Sequence, residues 1–228
     1  MKIEYEKSNS AFHSIISDPS QTITIDANIL IPPDRGTIMF PIHNYNRNWI
    51  QPLFLAFPNI AIHEAVFEEV IGQALKDIVN NAINSNPPKL CLHRDCELSL
   101  NEMAIRNTIE SRIAPFTCYN PALDNKDDRG EVKSLAYIVA KGLIYFAGRD
   151  SKAIQLINEA EKLKTSLDSL SSLQPYELIF YLYKRGYSGK EDMRYLYKYL
   201  YYLTQRDKKE NLGWAEYVGK MECNYPDL

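Results

Sequence analysis

Six acidic side chains, Asp26, Glu68, Glu69, Asp128, Glu131 and Asp150, stand where folding could bring several of them together. Asp26 lies in the β-branched run Thr22-Ile-Thr-Ile-Asp-Ala-Asn-Ile-Leu-Ile31, two residues before Asn28. Asp150 follows the apolar run Leu143-Ile-Tyr-Phe-Ala147 across Gly148-Arg149. If both runs are parallel strands, each delivers a carboxylate to the same sheet edge, and ligands of such sheets bind outside the carboxyl ends of the strands. Glu131 comes three residues after Asp128 in the first turn of a helix, where the helix dipole favours an anion. Glu68 and Glu69 sit among the apolar positions of another helix. Each acid alone is ordinarily a cap or a solvated charge; the set carries the argument. Crowded carboxylates repel one another and resist joint ionisation. A hard divalent cation removes that cost, and oxygen-only ligation selects Mg²⁺ or Mn²⁺ over zinc. The matching chemistry is phosphodiester hydrolysis, in which the cation activates water and offsets charge developing on phosphate.

The elements that must position these acids follow from pattern. The 22–31 run reads as a strand stopped by Pro32-Pro33. The stretch 32–58, with Pro41, Asn44, Asn46, Asn48 and Pro52 among aromatics, reads as a long loop or insertion. Asn59–His63 suits a short strand or the start of a helix, and Val66, Val70, Ile71, Leu75, Ile78 and Val79 recur at helical spacing over 64–84. Lys89–His93 suits another strand. Ser99 and Glu102 form a capping box for a helix to about Ile113. A polar turn region over 120–128 leads into a helix over Val132–Lys141, then the 143–147 strand, then a helix to about Leu170. Strands alternating with helices predict an α/β fold, a three-layer α/β/α sandwich on a mostly parallel sheet. A Tyr-rich helical extension follows. The expected division is a domain over 1–170 and an extension over 171–228.

The whole sequence of 228 residues bounds these readings. Apolar residues make up 45% and charged residues 24%, which excludes wholesale disorder or a fibrous repeat. A net charge of -3 excludes a uniformly basic nucleic-acid coat while allowing a local basic groove. Four scattered cysteines do not make a disulfide framework, and they are expected to be small buried hydrophobes. The N-terminus lacks the apolar stretch of a secretion signal, and no apolar run is long enough for a membrane span. A cytoplasmic protein with no membrane partner is the expectation.

Taken together, the motifs resemble the PIN domain, a family of Mg²⁺/Mn²⁺-dependent nucleases. Ile23-Thr-Ile-Asp26-Ala-Asn28-Ile-Leu is similar to the family's opening strand, and Val66-Phe-Glu-Glu69-Val to the helix that supplies its second acid. Asp128-Arg-Gly-Glu131-Val-Lys-Ser-Leu-Ala136 resembles an Asp-x-Gly-Glu helix start found in part of the family. Phe146-Ala-Gly-Arg-Asp150-Ser-Lys-Ala resembles the strand-end acid that follows. The likeness covers about 20–165, with 32–58 as an insertion and the Tyr-rich segment outside it. It implies that Asp26, Glu69, Glu131 and Asp150 hold the cation, with Glu68 the fallback for Glu69. Asp128 becomes an outer acid, and Asn28 orients the first Asp or a water. It further implies endonucleolytic cleavage of single-stranded RNA. A toxin–antitoxin or defence setting with an inhibitory antitoxin-like protein partner is a setting the family offers, as is self-association.

Two alternatives come from other classes: a non-catalytic PIN-fold scaffold that engages a protein through its C-terminal helices, and a phosphatase using the same acids. Other motifs lose to chance. His93-Arg-Asp95 lacks the rest of a kinase loop. His63-Glu64 is followed by Phe67 where a zinc protease needs histidine. Cys91, Cys96 and His93 lack a fourth zinc ligand. The tyrosines Tyr195, Tyr197, Tyr199, Tyr201 and Tyr202, interleaved with Arg194, Lys198 and Arg206, could stack on unpaired bases, but covering a core is the favoured reading.

Overall fold

The computed structural model describes residues 2–36, 38–149 and 151–228. They form two compact units. An α/β unit comprises Ser20–Pro32 and Phe57–Gln174; a helical unit gathers Met1–Pro19, Pro33–Ala56 and Pro175–Leu228. This grouping differs from the expected division at residue 170. The 32–58 stretch is not an insertion of the α/β unit, because most of it belongs with the C-terminal helices.

The α/β unit is built on a five-stranded, all-parallel sheet of order β3-β2-β1-β4-β5, consistent with a three-layer sandwich. Its strands are β1 (Ile23–Ile25), β2 (Ile60–His63), β3 (Cys91–His93), β4 (Tyr145–Ala147) and β5 (Ser171–Leu173). In β1, Ile23 and Ile25 pair with Ile60 and Ile62 on one side and with Tyr145 and Ala147 on the other. Every residue of β1, β2 and β4 is buried, which is why these strands read as continuous apolar runs rather than alternating ones. From β1 the chain winds outward one way through β2 and β3, and from β4 the other way to β5. The reversal between β1 and β4 is the topological switch point, where doubly wound sheets bind their ligands.

Several expected elements are shorter than their sequence pattern. The 22–31 strand stops at Ile25, and Ala27–Leu30 is a helical turn beginning after Asp26. Asp26 donates its N–H to the Ala147 carbonyl at 2.9 Å before the chain turns off the sheet. The 64–84 helix is two, Glu64–Glu69 and Gln73–Ile83, because Gly72 takes φ +85 between them. The helix expected to reach Leu170 ends near Leu163, where Lys164 adopts φ +54. Beyond it, Ser171-Ser172-Leu173 is an edge strand with too few apolar residues to signal itself. The helix Leu100–Ile113 has its expected capping box: Ser99 Oγ accepts from Glu102 N at 3.3 Å, and Glu102 Oε2 from Ser99 N at 2.7 Å. It packs on the helix Arg129–Ala140, and Ile109, Ile113, Val132, Leu135, Phe146 and Leu156 share one core.

In the helical unit, 42–56 is helical rather than a loop, with a π-turn over Asn46–Ile50 just before Pro52. Proline rejects the carbonyl four residues earlier, and the widened turn accommodates it. That Asn48 carbonyl accepts from Ser188 Oγ at 3.4 Å instead. The tyrosines mostly build this unit's core, as favoured. Tyr197 and Tyr217 stack at 4.2 Å and 13°, and Tyr176, Tyr199 and Tyr201 are also buried. A buried phenol must pair its hydroxyl. Tyr197 donates to the Leu212 carbonyl at 2.8 Å and therefore accepts from Tyr5, also at 2.8 Å. The cysteines, expected inside, are all exposed free thiols, because β3 and the turns and helix ends carrying them lie at the surface. Among the described residues, no helix is long and apolar enough to cross a membrane.

Ser99→Ala removes one half of the capping box and is expected to cost about 1 kcal/mol. The melting temperature should fall by about 2–4 °C in a calorimetric scan.

Candidate functional site

The candidate site lies at the carboxyl ends of β1 and β4. Asp26 follows β1 and is buried, with 7% of its surface exposed. Two residues on, Asn28 Oδ1 accepts from Arg149 N at 2.8 Å, tying the turn after β1 to the turn after β4. Asp150 comes next in the chain but lies outside the described residues, so the placement expected for it has no structural counterpart. Gly148, one residue after β4, borders Asp26: a Cβ added there would come within 3.6 Å of the Asp26 Cβ.

The second acid comes from the helix Glu64–Glu69, which packs against the helix Arg129–Ala140. Glu69 turns inward and Glu68 outward. Glu69 Oε1 accepts from Gly130 N at 2.7 Å. The carboxylate lies so close to the Gly130 Cα that a Cβ there would sit 2.7 Å from Glu69 Cδ. Glu68, with 63% of its side chain exposed, binds Arg129 at 2.6 Å instead. Glu69 therefore lies against Gly130, while Glu68 is taken up by Arg129 at the surface.

Burial pushes the Glu69 carboxyl up from 4.5 to about 7; the Gly130 N–H opposes this, and the charges of Asp26 and Asp128 add to it. Acids from three separate stretches thus share one electrostatic environment. Glu131, buried in the first turn of its helix, is felt by Lys152. The placement of Asp128 differs from that expected of an outer metal acid. Its Oδ2 accepts from Cys118 N and from Lys152 Nζ, both at 2.7 Å. Burial works against its ionisation, but these two donors outweigh it and hold Asp128 below the usual carboxylate range. Lys152 already supplies the positive charge that Asp128 needs.

The donors Asp26, Glu69 and Glu131 are carboxylate oxygens only, the set a hard divalent cation prefers. The charge of Arg129 works against the raised proton affinity of Glu69 without outweighing burial. Among the described residues, however, the group whose ligand atoms lie within 4.8 Å of one another is His63, Glu64 and Asp95, not this trio. That group is committed to the fold. His63 Nδ1 accepts from Ala65 N at 3.2 Å, so the remaining ring proton is on Nε2, directed at Asp95 Oδ1 at 3.2 Å. No ring lone pair is left for a metal. Arg106 adds its guanidinium to Asp95 at 3.0 Å and pairs with Glu110. His93 stacks on Tyr137 at 4.7 Å, and burial lowers it to about 4, so it is a neutral packing residue. Exposed Cys91 and Cys96 add no zinc site.

Sequence reasoning missed the polar chain that runs from this cluster to the acids. Tyr119 Oη lies 2.9 Å from both a Glu110 and an Asp124 carboxylate oxygen, which share its single proton. Asp124 in turn binds Arg129 at 2.9 Å and Lys133 at 2.7 Å, and these two cations hold its carboxyl far below the usual range. Only the turn-rich composition of 120–128 hinted at it. Arg129 is thereby clamped between Asp124 and Glu68. A cavity of about 530 Å³ opens beside Glu69, lined by Glu68, Asp124, Lys126, Arg129 and Ile71. Of these, Lys126 has no ion-pair partner among the described residues, so its charge is available to an anion.

Comparison with protein-family models, with curated proteins and with solved structures gives no match.

Gly130→Ala is expected to push Glu69 out of its place and lower the melting temperature, while Gly142→Ala at φ +65, where a Cβ meets open space, tests backbone strain alone. Side-chain displacement should appear in a crystal structure of the Gly130 variant only. In EDTA, folded Glu69 holds a proton between pH 4.5 and about 7 that the unfolded chain releases. Its contribution to stability is present below pH 4.5 and fades as pH rises to 7. Measured as wild type minus Glu69→Gln, the melting temperature difference should therefore fall across that window. The change is of the order of 1 kcal/mol once the solvent-screened part of the side chain is discounted. His93 has the opposite slope and cancels in the difference.

Proposed function

We propose that the α/β unit is a PIN-like, Mg²⁺- or Mn²⁺-dependent endoribonuclease acting on single-stranded RNA. The observation that carries this reading is the convergence at the β1/β4 switch point. Glu69, Asp26 and Asp128 come from distant stretches, yet the charges of the two aspartates raise the proton affinity of Glu69. Their order and local motifs resemble the PIN family, and the all-parallel sheet suits that fold.

In this reading Asp26, Glu69, Glu131 and Asp150 would hold the cation. When bound, it supplies water activation and offsets the charge of the phosphodiester transition state. The chain's own groups do the positioning. Gly130 N–H fixes Glu69, Asn28 joins the turns after β1 and β4, and Lys152 neutralises Asp128 so that it does not compete for charge. Lys126, on the cavity wall beside Glu69, attracts a phosphate chain towards the acids. A toxin-like or defence role with an inhibitory partner rests on the family resemblance alone. The scaffold alternative relied on the C-terminal tyrosines as a partner surface, and most of them are occupied by their own core.

Wild type and Asp26→Asn should be compared for Mn²⁺-dependent cleavage of single-stranded RNA, beside a small phosphoester. The expected outcome is RNA cleavage by wild type reduced at least about a hundredfold in the variant, as removal of an electrostatic catalytic group does. Equal activities in a clean preparation would defeat the proposal, and turnover of the small ester alone would make the protein a phosphatase.

A further inference from the structure

The helical unit carries a groove that the chemistry above does not use. Lys190, Arg194 and Lys198 lie on one side of the helix Lys190–Tyr201 and line the groove together with Tyr202, Trp214 and Glu216. Its volume is about 450 Å³. The three basic residues are spaced four apart, and each such step rises about 6 Å along the helix. That matches the repeat of phosphates along an extended nucleic-acid strand. The ammonium groups of Lys190 and Lys198 have no ion-pair partner among the described residues, and Arg194 has only an exposed pair with Glu191 at 3.3 Å. Glu216, the one acid on the wall, directs its Oε2 to the Gly213 N–H at 3.2 Å.

The lining also carries aromatic rings. Trp214 is fixed by ring contacts with Tyr183, Tyr197 and Tyr217 at 5.5–5.7 Å, and Tyr202 is half-buried beside it. Here the structure refines the reading of the tyrosine series. Tyr197, Tyr199 and Tyr201 are committed to the core, while Tyr202 faces a groove with cations along its rim. A row of cations at phosphate spacing beside a half-buried ring is the pairing that single-stranded nucleic acids require. An acidic peptide would satisfy the cations but gives no use to the rings.

We infer that this groove binds single-stranded nucleic acid, holding successive phosphates on Lys190, Arg194 and Lys198 and stacking a base on Tyr202 and the rim of Trp214. The inference does not rest on the acids of the α/β unit, and the two readings fail separately.

The test is fluorescence anisotropy of the full chain in EDTA with a labelled oligouridylate of about ten nucleotides. Three phosphate contacts predict a slope of log affinity against log salt of about −2. In K190A/R194A/K198A, whose side chains reach solvent, the slope should approach zero. Tyr202→Leu should weaken binding about tenfold and leave the slope unchanged, since a stack carries no charge. Circular dichroism establishes that each variant is folded; if Tyr202→Leu is not, quenching of Trp214 fluorescence in Trp49→Phe by the unlabelled oligomer reads the stack. Absence of binding by wild type, or a triple variant with unchanged affinity and slope, overturns the inference. So does binding of a labelled poly-glutamate peptide with no binding of the oligomer, which would assign the groove to an acidic protein.

Discussion

The α/β unit depends on accommodating like charges at one mouth of a parallel sheet. The charges of Asp26 and Asp128 raise the cost of ionising Glu69, yet the fold places the three together. Three devices make that arrangement stable. Lys152 and the Cys118 amide neutralise Asp128. The Gly130 amide stabilises one oxygen of Glu69, and the missing side chain of Gly130 is what admits the carboxylate. The rest of the repulsion is relieved by protonation of Glu69. A structure selected for stability alone would place apolar groups here, because buried charge is seldom repaid.

The polar chain from His63 through Asp95, Arg106, Glu110, Tyr119 and Asp124 to Arg129 serves that same mouth. Arg106 and Glu110 are buried, at 5% and 7% exposure, and neither would be tolerated without the other. Tyr119 links their pair to Asp124, and Asp124 orients Arg129, which occupies Glu68. Glu68 is thereby held outward while its neighbour faces in. The geometry of the acids is set partly by groups remote in sequence that never touch them.

The helical unit solves a different problem. Its core is made of rings, several of whose hydroxyls are hydrogen-bonded, so packing and hydrogen bonding are specified together. Tyr5, Tyr197 and the Leu212 carbonyl form one such relay, and Tyr199 donates to the Pro33 carbonyl at 2.6 Å. Directional bonds of this kind fix a single packing more firmly than aliphatic side chains can.

Local signals were legible where one interaction over a few residues decides the outcome. The capping box at Ser99, the buried strands β1, β2 and β4, the turn region before Asp128 and the parallel α/β class all follow from short-range pattern. Other features needed the tertiary structure, because their causes lie far along the chain. Gly72 and Lys164 cut apparently continuous helices by taking up left-handed backbone. The strand Ser171–Leu173 exists only because β4 offers it a partner. Residues 42–56 are helical because a π-turn absorbs Pro52 and Ser188 takes the freed carbonyl. The sequence by itself determined which residues could be acids, caps and core; only folding decided that Asp128 would meet a lysine and Tyr202 a groove. Charge and exposure are properties of neighbours in space, and the sequence names neighbours only along the chain.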